Sequence, residues 1–332
     1  MIDAPDATCI PARASQQRPR HVRFVAAYGQ ELIVLGAFVV LMAFVGAKNP
    51  RYVSESNLRN IFVGNAYVAV AAIGMSMVII AGHIDVSVGS LIGVLATISG
   101  TLAVNGHPVW LAWLAAVVVG SAVDAVLGAL VAYARIPAIV ASLAFLSILK
   151  GGLISATGGR WIGGLPPDFF LAQRRLMGIP SPVWFAAVLT VLAALWMRFA
   201  ATGRAIYAIG GNADAARAAG LSPRPMIVLV FAIHGAFAGI AAVLFATQLQ
   251  VIQSTVPPNL ELNVITASVI GGVSILGGTG TVVGSTLAAL LFAAISSALI
   301  FLDVSPYWLR AVLGVMILAT VLADMIRRRR SA

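Results

Sequence analysis

Apolar residues run through this chain in long blocks, at about 31–47, 61–81, 86–104, 109–134, 138–157, 182–201, 226–249, 260–276, 282–301 and 307–326. A helix needs about 20 predominantly apolar residues to cross the hydrocarbon core of a bilayer. The pattern therefore predicts an all-α polytopic membrane protein of about ten transmembrane helices. One transmembrane domain, 29–326, would follow a disordered cytoplasmic tail, 1–28, and precede a basic cytoplasmic C-terminus, 327–332.

A polar, arginine-bearing interruption, Thr202 to Pro225, TGRAIYAIGGNADAARAAGLSPRP, lies between the sixth and seventh blocks. An even number of spans puts both termini on one side, and the basic residues choose it. If the N-terminus is cytoplasmic, that side holds thirteen arginines, among them Arg13, Arg18, Arg135, Arg204, Arg217, Arg224 and Arg327 to Arg330. The other side holds six basic residues: Lys48, Arg51, Arg59, Arg160, Arg174 and Arg175. The excess predicts N-in and C-in, with 202–225 in the cytoplasm, where a soluble partner can dock.

Composition agrees. The 332 residues are 60% hydrophobic and 10% charged, against about 45–50% and about 25% in soluble domains. The net charge of +10 gathers at span ends, which points to lipid headgroups and orientation rather than nucleic acid. Cys9 is the single cysteine, so neither a disulfide framework nor a cysteine metal site is expected. The residues before it form no apolar run, which argues against a cleaved signal. No G-x-x-x-x-G-K-[ST] phosphate loop, H-E-x-x-H or G-x-S-x-G occurs. The chain is expected to hold no cofactor or metal of its own, and any ATP must be bound by another protein.

Ionisable residues within spans are costly and few. Asp124 and Lys150 fall roughly 15 and 18 Å from the inner ends of their spans at 1.5 Å per residue. They are expected to pair and hold the two helices together, with proton relay as the alternative. Asp85, in the tight joint Gly82-His83-Ile84-Asp85 between the second and third spans, suits a cap on the following helix or a substrate contact. His234 reads as an isolated imidazole hydrogen-bonded within the bundle. Arg310 and the Asp324/Arg328 pair read as anchors at the span ends.

A second tight joint, Gly277-Gly278-Thr279-Gly280-Thr281, separates the eighth and ninth spans. At a shift of 195 residues Ala72, Ile80, Gly82, Val88, Gly89, Ser90 and Leu95 meet identical residues from Ala267 to Leu290. Duplicated halves would produce this, as would chance in part in so alanine- and glycine-rich a chain. The loop from Gly158 to Ser181, with Trp161, Pro166, Pro167, Phe169 and Phe170, suits an external cap or docking surface, together with Val251 to Asn259, or a simple connection.

These motifs resemble the permease subunits of bacterial carbohydrate ABC importers of the ribose type, from about residue 30 to the C-terminus. The strongest is Gly82-His83-Ile84-Asp85-Val86-Ser87-Val88-Gly89, similar to the family's G-G-I-D-L-S-V-G. Arg135-Ile136-Pro137-Ala138 follows, then Gly203-Arg204 through Gly210-Gly211-Asn212 and Ala215-Ala216-Arg217, then Gly271-Gly272-Val273-Ser274 with Gly277-Gly278-Thr279-Gly280. The resemblance implies a helix that couples to an ATPase subunit, carried by Gly203, Arg204, Gly210, Gly211, Asn212, Ala215, Ala216 and Gly220. The residues fit: Asn212 can cap a helix, and Gly220 with Pro223 can end it. The family motif at the hinge maps to Gly82, Asp85, Ser87, Gly89, Gly277, Gly278 and Gly280. Departures stand at His83, where glycine is usual, Leu127, where asparagine is common, and Asp124, where a small residue is usual; they bear on the solute, not on the class.

The expected function is therefore the permease subunit of an ATP-binding-cassette importer in the bacterial inner membrane. It would work with an ABC ATPase, a second permease subunit (the same chain or a paralogue), and a periplasmic or extracellular sugar-binding protein. Its solute would be a monosaccharide or similar polar compound such as ribose, rhamnose or the furanosyl quorum-sensing signal. Asn65, Ser76, Asn263, Thr266 and Ser268 are candidates to line the path, with helix-packing hydrogen bonds as the other reading. The alternatives are a branched-chain amino-acid permease of the same superfamily, an ion-gradient-driven secondary transporter, which would have no ATPase to dock, and, more distantly, an intramembrane enzyme.

Overall fold

A computed structural model describes residues 20–170, 174–248, 251–253, 259–305 and 307–331. Residues 1–19 of the expected tail, Pro257 and Pro258 lie outside these, as do the side chains of Arg310, Asp324 and Arg328. The first helix begins at Arg20, inside the segment expected as tail.

Each predicted apolar block contains a helix. In order they are α1 (Arg20–Lys48), α2 (Glu55–Gly64), α3 (Ala66–Ile80), α4 (Val88–Val104), α5 (Val109–Ala132), α6 (Ala138–Thr157) and α7 (Ser181–Phe199). Next come the short α8 (Ala201–Gly211) and α9 (Ala213–Ala218), then α10 (Pro223–Ala246), α11 (Leu260–Ile270), α12 (Val282–Phe301) and α13 (Trp308–Ser331). Among the described residues, seven stretches are long and apolar enough to cross a membrane, with α2 and α3 making one of them. Val88–Val104, Leu260–Ile270 and Ala311–Leu322 are apolar but shorter. The only strands among the described residues are a two-residue hairpin, β1 (Arg175–Leu176) and β2 (Ile179–Pro180).

The helices divide by burial as lipid requires. α3 is apolar all round and buried throughout from Val68 to Ile80, as a helix at the centre of a bundle must be. It touches α7, α8, α10, α11 and α12. α1, α5, α6, α7 and α13 instead leave large side chains exposed, such as Val40 at 67%, Phe44, Ile148 and Leu318. In a membrane protein these faces meet acyl chains, with all backbone groups satisfied inside the helices.

The longest helix contact joins α5 to α10, and its basis is small residues four apart. Ala112, Ala116, Gly120, Asp124, Gly128 and Ala132 form one buried stripe on α5. It faces Gly235 and Gly239 of α10, so closely that a Cβ at Gly239 would lie 2.5 Å from the Val117 Cα. Small residues at this spacing let backbones approach, which is how helices associate without a hydrophobic drive between them.

On the side of the 158–181 loop, Ile162 and Ile252 exchange backbone hydrogen bonds of 2.9 Å in both directions. Phe169, fully buried, sits against Trp113 and Phe170. The two loops are therefore tied to each other and packed onto the bundle.

Candidate coupling and hinge site

Three separate parts of the chain meet at one place: the end of α3, the end of α8 and the loop after α11. α3 stops at Ile80, and Gly82 then takes φ +87°; Gly277, 195 residues later, takes φ +82°. Only glycine enters this region without strain, so the two joints turn alike. They also touch, since a Cβ at Gly277 would lie 3.0 Å from the Gly82 Cα and 2.7 Å from the Gly210 carbonyl oxygen. The Gly278 N–H donates to the Ile80 carbonyl oxygen at 2.8 Å. A Cβ on Gly210 would overlap that same oxygen, and one on Gly278 would lie 2.6 Å from the Gly211 Cα. Five motif glycines thus bring three backbones into direct contact. The Tyr207 hydroxyl adds a hydrogen bond to the Gly280 carbonyl oxygen at 2.9 Å. Burial first, and the Glu31 carboxylate second, raise this hydroxyl above the ordinary tyrosine value.

Each joint is held by a side chain on its C-terminal side. The Asp85 Oδ1 accepts from the Ser87 N–H at 2.7 Å and the Ser87 hydroxyl at 2.6 Å. Thr281 caps α12 by accepting from the Gly284 N–H at 3.2 Å, and its hydroxyl donates to Glu31 at 2.6 Å. Gly89 lies against Glu261.

The 202–225 segment folds as two helices, and its motif residues separate into two groups. Gly203 is buried, where a Cβ would lie 2.5 Å from the Trp196 carbonyl oxygen, and Gly210 roots the end of α8 in the joint. Asn212 then breaks the helix and caps the next, its Oδ1 accepting from the N–H groups of Asp214 at 3.0 Å and Ala215 at 2.9 Å. In α9 only Ala216 faces inward; Gly211, Asn212, Ala215 and Arg217 are exposed, as are Arg204 and Gly220. Arg204 donates to the Phe199 carbonyl oxygen at 2.6 Å, and Arg217 pairs with Asp214.

The candidates for lining a path are packed more tightly than expected. Ser76 Oγ lies 2.6 Å from Ser285 Oγ and 3.2 Å from Ser268 Oγ, all three fully buried, so α3, α11 and α12 share one hydroxyl knot. Thr266 donates to the Leu262 carbonyl oxygen at 2.5 Å. Asn65 and Asn263 are half-buried, Asn65 standing at the break between α2 and α3.

The expected Asp124–Lys150 pair does not form. Asp124 lies on the small-residue stripe of α5 and is fully buried against α10, whereas Lys150 is exposed on α6. Nor is His234 isolated. Its Nε2 is 3.5 Å from Asp85 Oδ2 and 4.0 Å from Asp124 Oδ2, with all three side chains at 0% exposure. The sequence does carry a signal for this: Asp124 shares the four-residue spacing of Gly120 and Gly128, and His234 stands next to Gly235, the residue that meets that stripe.

The class of protein follows. Residues 57–321 match the family described as branched-chain amino acid transport system / permease component, and the chain belongs to it. It is a multi-pass inner-membrane protein, the transmembrane permease subunit of an ATP-binding-cassette importer. Among its relatives is the autoinducer 2 import system permease protein LsrC of Salmonella typhi, 36% identical over 296 residues, covering 89% of this chain and 85% of the relative. The LsrC proteins of Enterobacter sp. (35% identical, 87% of this chain and 86% of the relative) and Escherichia coli (32%, 89% and 86%) are similar in the same way. These relatives favour the carbohydrate-type resemblance over a branched-chain amino-acid permease or a secondary transporter. No solved structure matches the chain.

Proposed function

We propose that the chain imports autoinducer 2 or a similar small polar sugar, through a bundle of ten spans with both termini in the cytoplasm, driven by an ATPase that docks on α9. A second permease subunit completes the path, and a sugar-binding protein delivers the solute to the cap formed by the 158–181 loop and Ile252. The solute assignment rests on the names of the relatives. The docking assignment rests on one observation: α9 exposes nearly all its residues, while the helix just before it is fixed by Gly210 to both hinge joints. A push on α9 therefore acts through α8 on the Gly82 and Gly277 joints together, at the ends of α3 and α11. This is a mechanical route from an ATPase to the bundle, and it needs only two arrangements of packed elements.

The test is Gly211→Trp. Gly211 is exposed and a Cβ there lies 3.9 Å from the Gly278 Cα, ordinary contact, so the bundle should insert and fold normally. The indole would obstruct a cleft around α9. In proteoliposomes with the ATPase and binding protein, the variant is expected to lose substrate-stimulated ATP hydrolysis. Normal stimulation in a correctly inserted variant refutes docking on α9.

A further inference from the structure

Asp85, Asp124 and His234 come from three different elements, the α3–α4 joint, α5 and α10, and each offers a ligand atom within 4.8 Å of the others. None has any exposure. Asp85 divides its carboxylate: Oδ1 is used by Ser87, while Oδ2, facing His234, has no hydrogen-bond partner. Both oxygens of Asp124 and both ring nitrogens of His234 also lack partners. Among the described residues no lysine or arginine pairs with either carboxylate. Two carboxylates and an imidazole, enclosed and uncompensated, are too costly to leave unpaired in the middle of a bundle.

The spacing distinguishes the ways of resolving this. A proton shared directly between His234 and a carboxylate would draw the heavy atoms to about 2.7–2.9 Å, but they stand 3.5 and 4.0 Å apart. Around a tetrahedral zinc ion, with nitrogen and oxygen ligands at about 2.0–2.2 Å, neighbouring ligand atoms are about 3.3–3.6 Å apart. The Asp85–His234 separation fits, and Asp124, whose oxygens nothing else holds, needs only a small rotation. The surroundings are built for closeness: a Cβ at Gly74 would lie 2.8 Å from His234 Nδ1, and one at Gly235 2.8 Å from the Asp124 Cβ. With Nδ1 turned against Gly74, Nε2 is the nitrogen presented to both carboxylates.

We propose that Asp85, Asp124 and His234 bind one divalent transition-metal ion of the zinc class. A dication balances two carboxylates and a neutral imidazole, and this donor set of borderline nitrogen and hard oxygen suits zinc and its neighbours rather than copper(I) or calcium. Water would complete the coordination. The ion clamps the Gly82–Asp85 joint to α5 and α10, next to the contact between Gly82 and Gly277. Its role is structural, and the proposal stands whether or not α9 docks an ATPase.

The test uses the full chain purified in detergent without a histidine tag. After stripping with chelator and re-addition of zinc, the wild type is expected to hold one zinc per chain by elemental analysis. Its unfolding temperature should rise by about 4 °C or more at a hundredfold excess over Kd. His234→Ala and Asp124→Asn should each bring the zinc content to background, while His107→Ala, on the exposed turn before α5, keeps it. Should the site variants fail to fold, cobalt loading of the wild type decides, because a cobalt ion held by nitrogen and oxygen in a closed site gives intense visible bands. Background zinc in the wild type, zinc content unchanged in His234→Ala, or cobalt without such bands overturns the proposal. An unfolding temperature that moves with pH but not with zinc does the same, and assigns the cluster to protons.

Discussion

Gly210 shows what a motif glycine does here that a helix propensity scale does not register. Its Cα hydrogen points at the Ile80 carbonyl oxygen, which the Gly278 N–H also meets, so any side chain forces α8 away from α3. Overpacking of this kind costs about 1–3 kcal/mol. Gly210→Ala is expected to lose stability by that amount, read as a lower unfolding temperature in detergent, while Gly211→Ala, with open contact, stays near wild type; equal effects would contradict the packing. Ser76→Ala removes one member of the buried hydroxyl knot, so it should cost about 0.6 kcal/mol and leave the apparent affinity for the solute unchanged in uptake assays. A shift in affinity instead would place Ser76 on the path. The sequence marked Gly82 and Gly277 as matching joints and Gly210 as part of the coupling surface but could not say that they touch, because contacts between residues nearly 200 apart leave no local pattern. It misassigned Asp124 for a related reason. Neighbouring spans suggested Lys150, whereas the side chain follows its own four-residue stripe to α10.

At the scale of elements, the hydropathy blocks located helices well because an apolar run near 20 residues long has few other uses. Helix ends were harder. The second block begins at Glu55 rather than near 61, because Ser54 caps α2, its Oγ accepting from the Asn57 N–H at 3.5 Å. Asn65 then divides it from α3, a break that an asparagine among apolar residues only hints at. α11 ends at Ile270, leaving 271–281 as a loop where the apolar pattern predicted helix to 276, since Gly271 and Gly272 end it and the loop turns at Gly277. In the 202–225 segment the sequence indicated one helix with an Asn212 cap; the cap is there, and α8 ahead of it was read as part of the same surface. Asn212→Ala removes two accepted N–H bonds from a six-residue helix and should cost it about 1 kcal/mol. Faster amide exchange in 213–218, with an unchanged global unfolding temperature and weaker ATPase stimulation, is the expected combination.

At the scale of the molecule, a buried α3 is ringed by helices whose outer faces suit lipid, and both glycine joints meet the end of α8. The class of transporter was legible from four ordered motifs, since each specifies backbone geometry and so tolerates few residues. The buried cluster was not, because its members come from three elements and each has an ordinary explanation alone. The central claim is that energy enters from outside the chain, through α9, and is spent at the joints. Uptake of labelled autoinducer 2 into proteoliposomes containing the permease, its ATPase and its binding protein tests it most directly. The account predicts uptake that requires ATP and is indifferent to a protonophore; uptake that persists without ATP and collapses with the protonophore would contradict it.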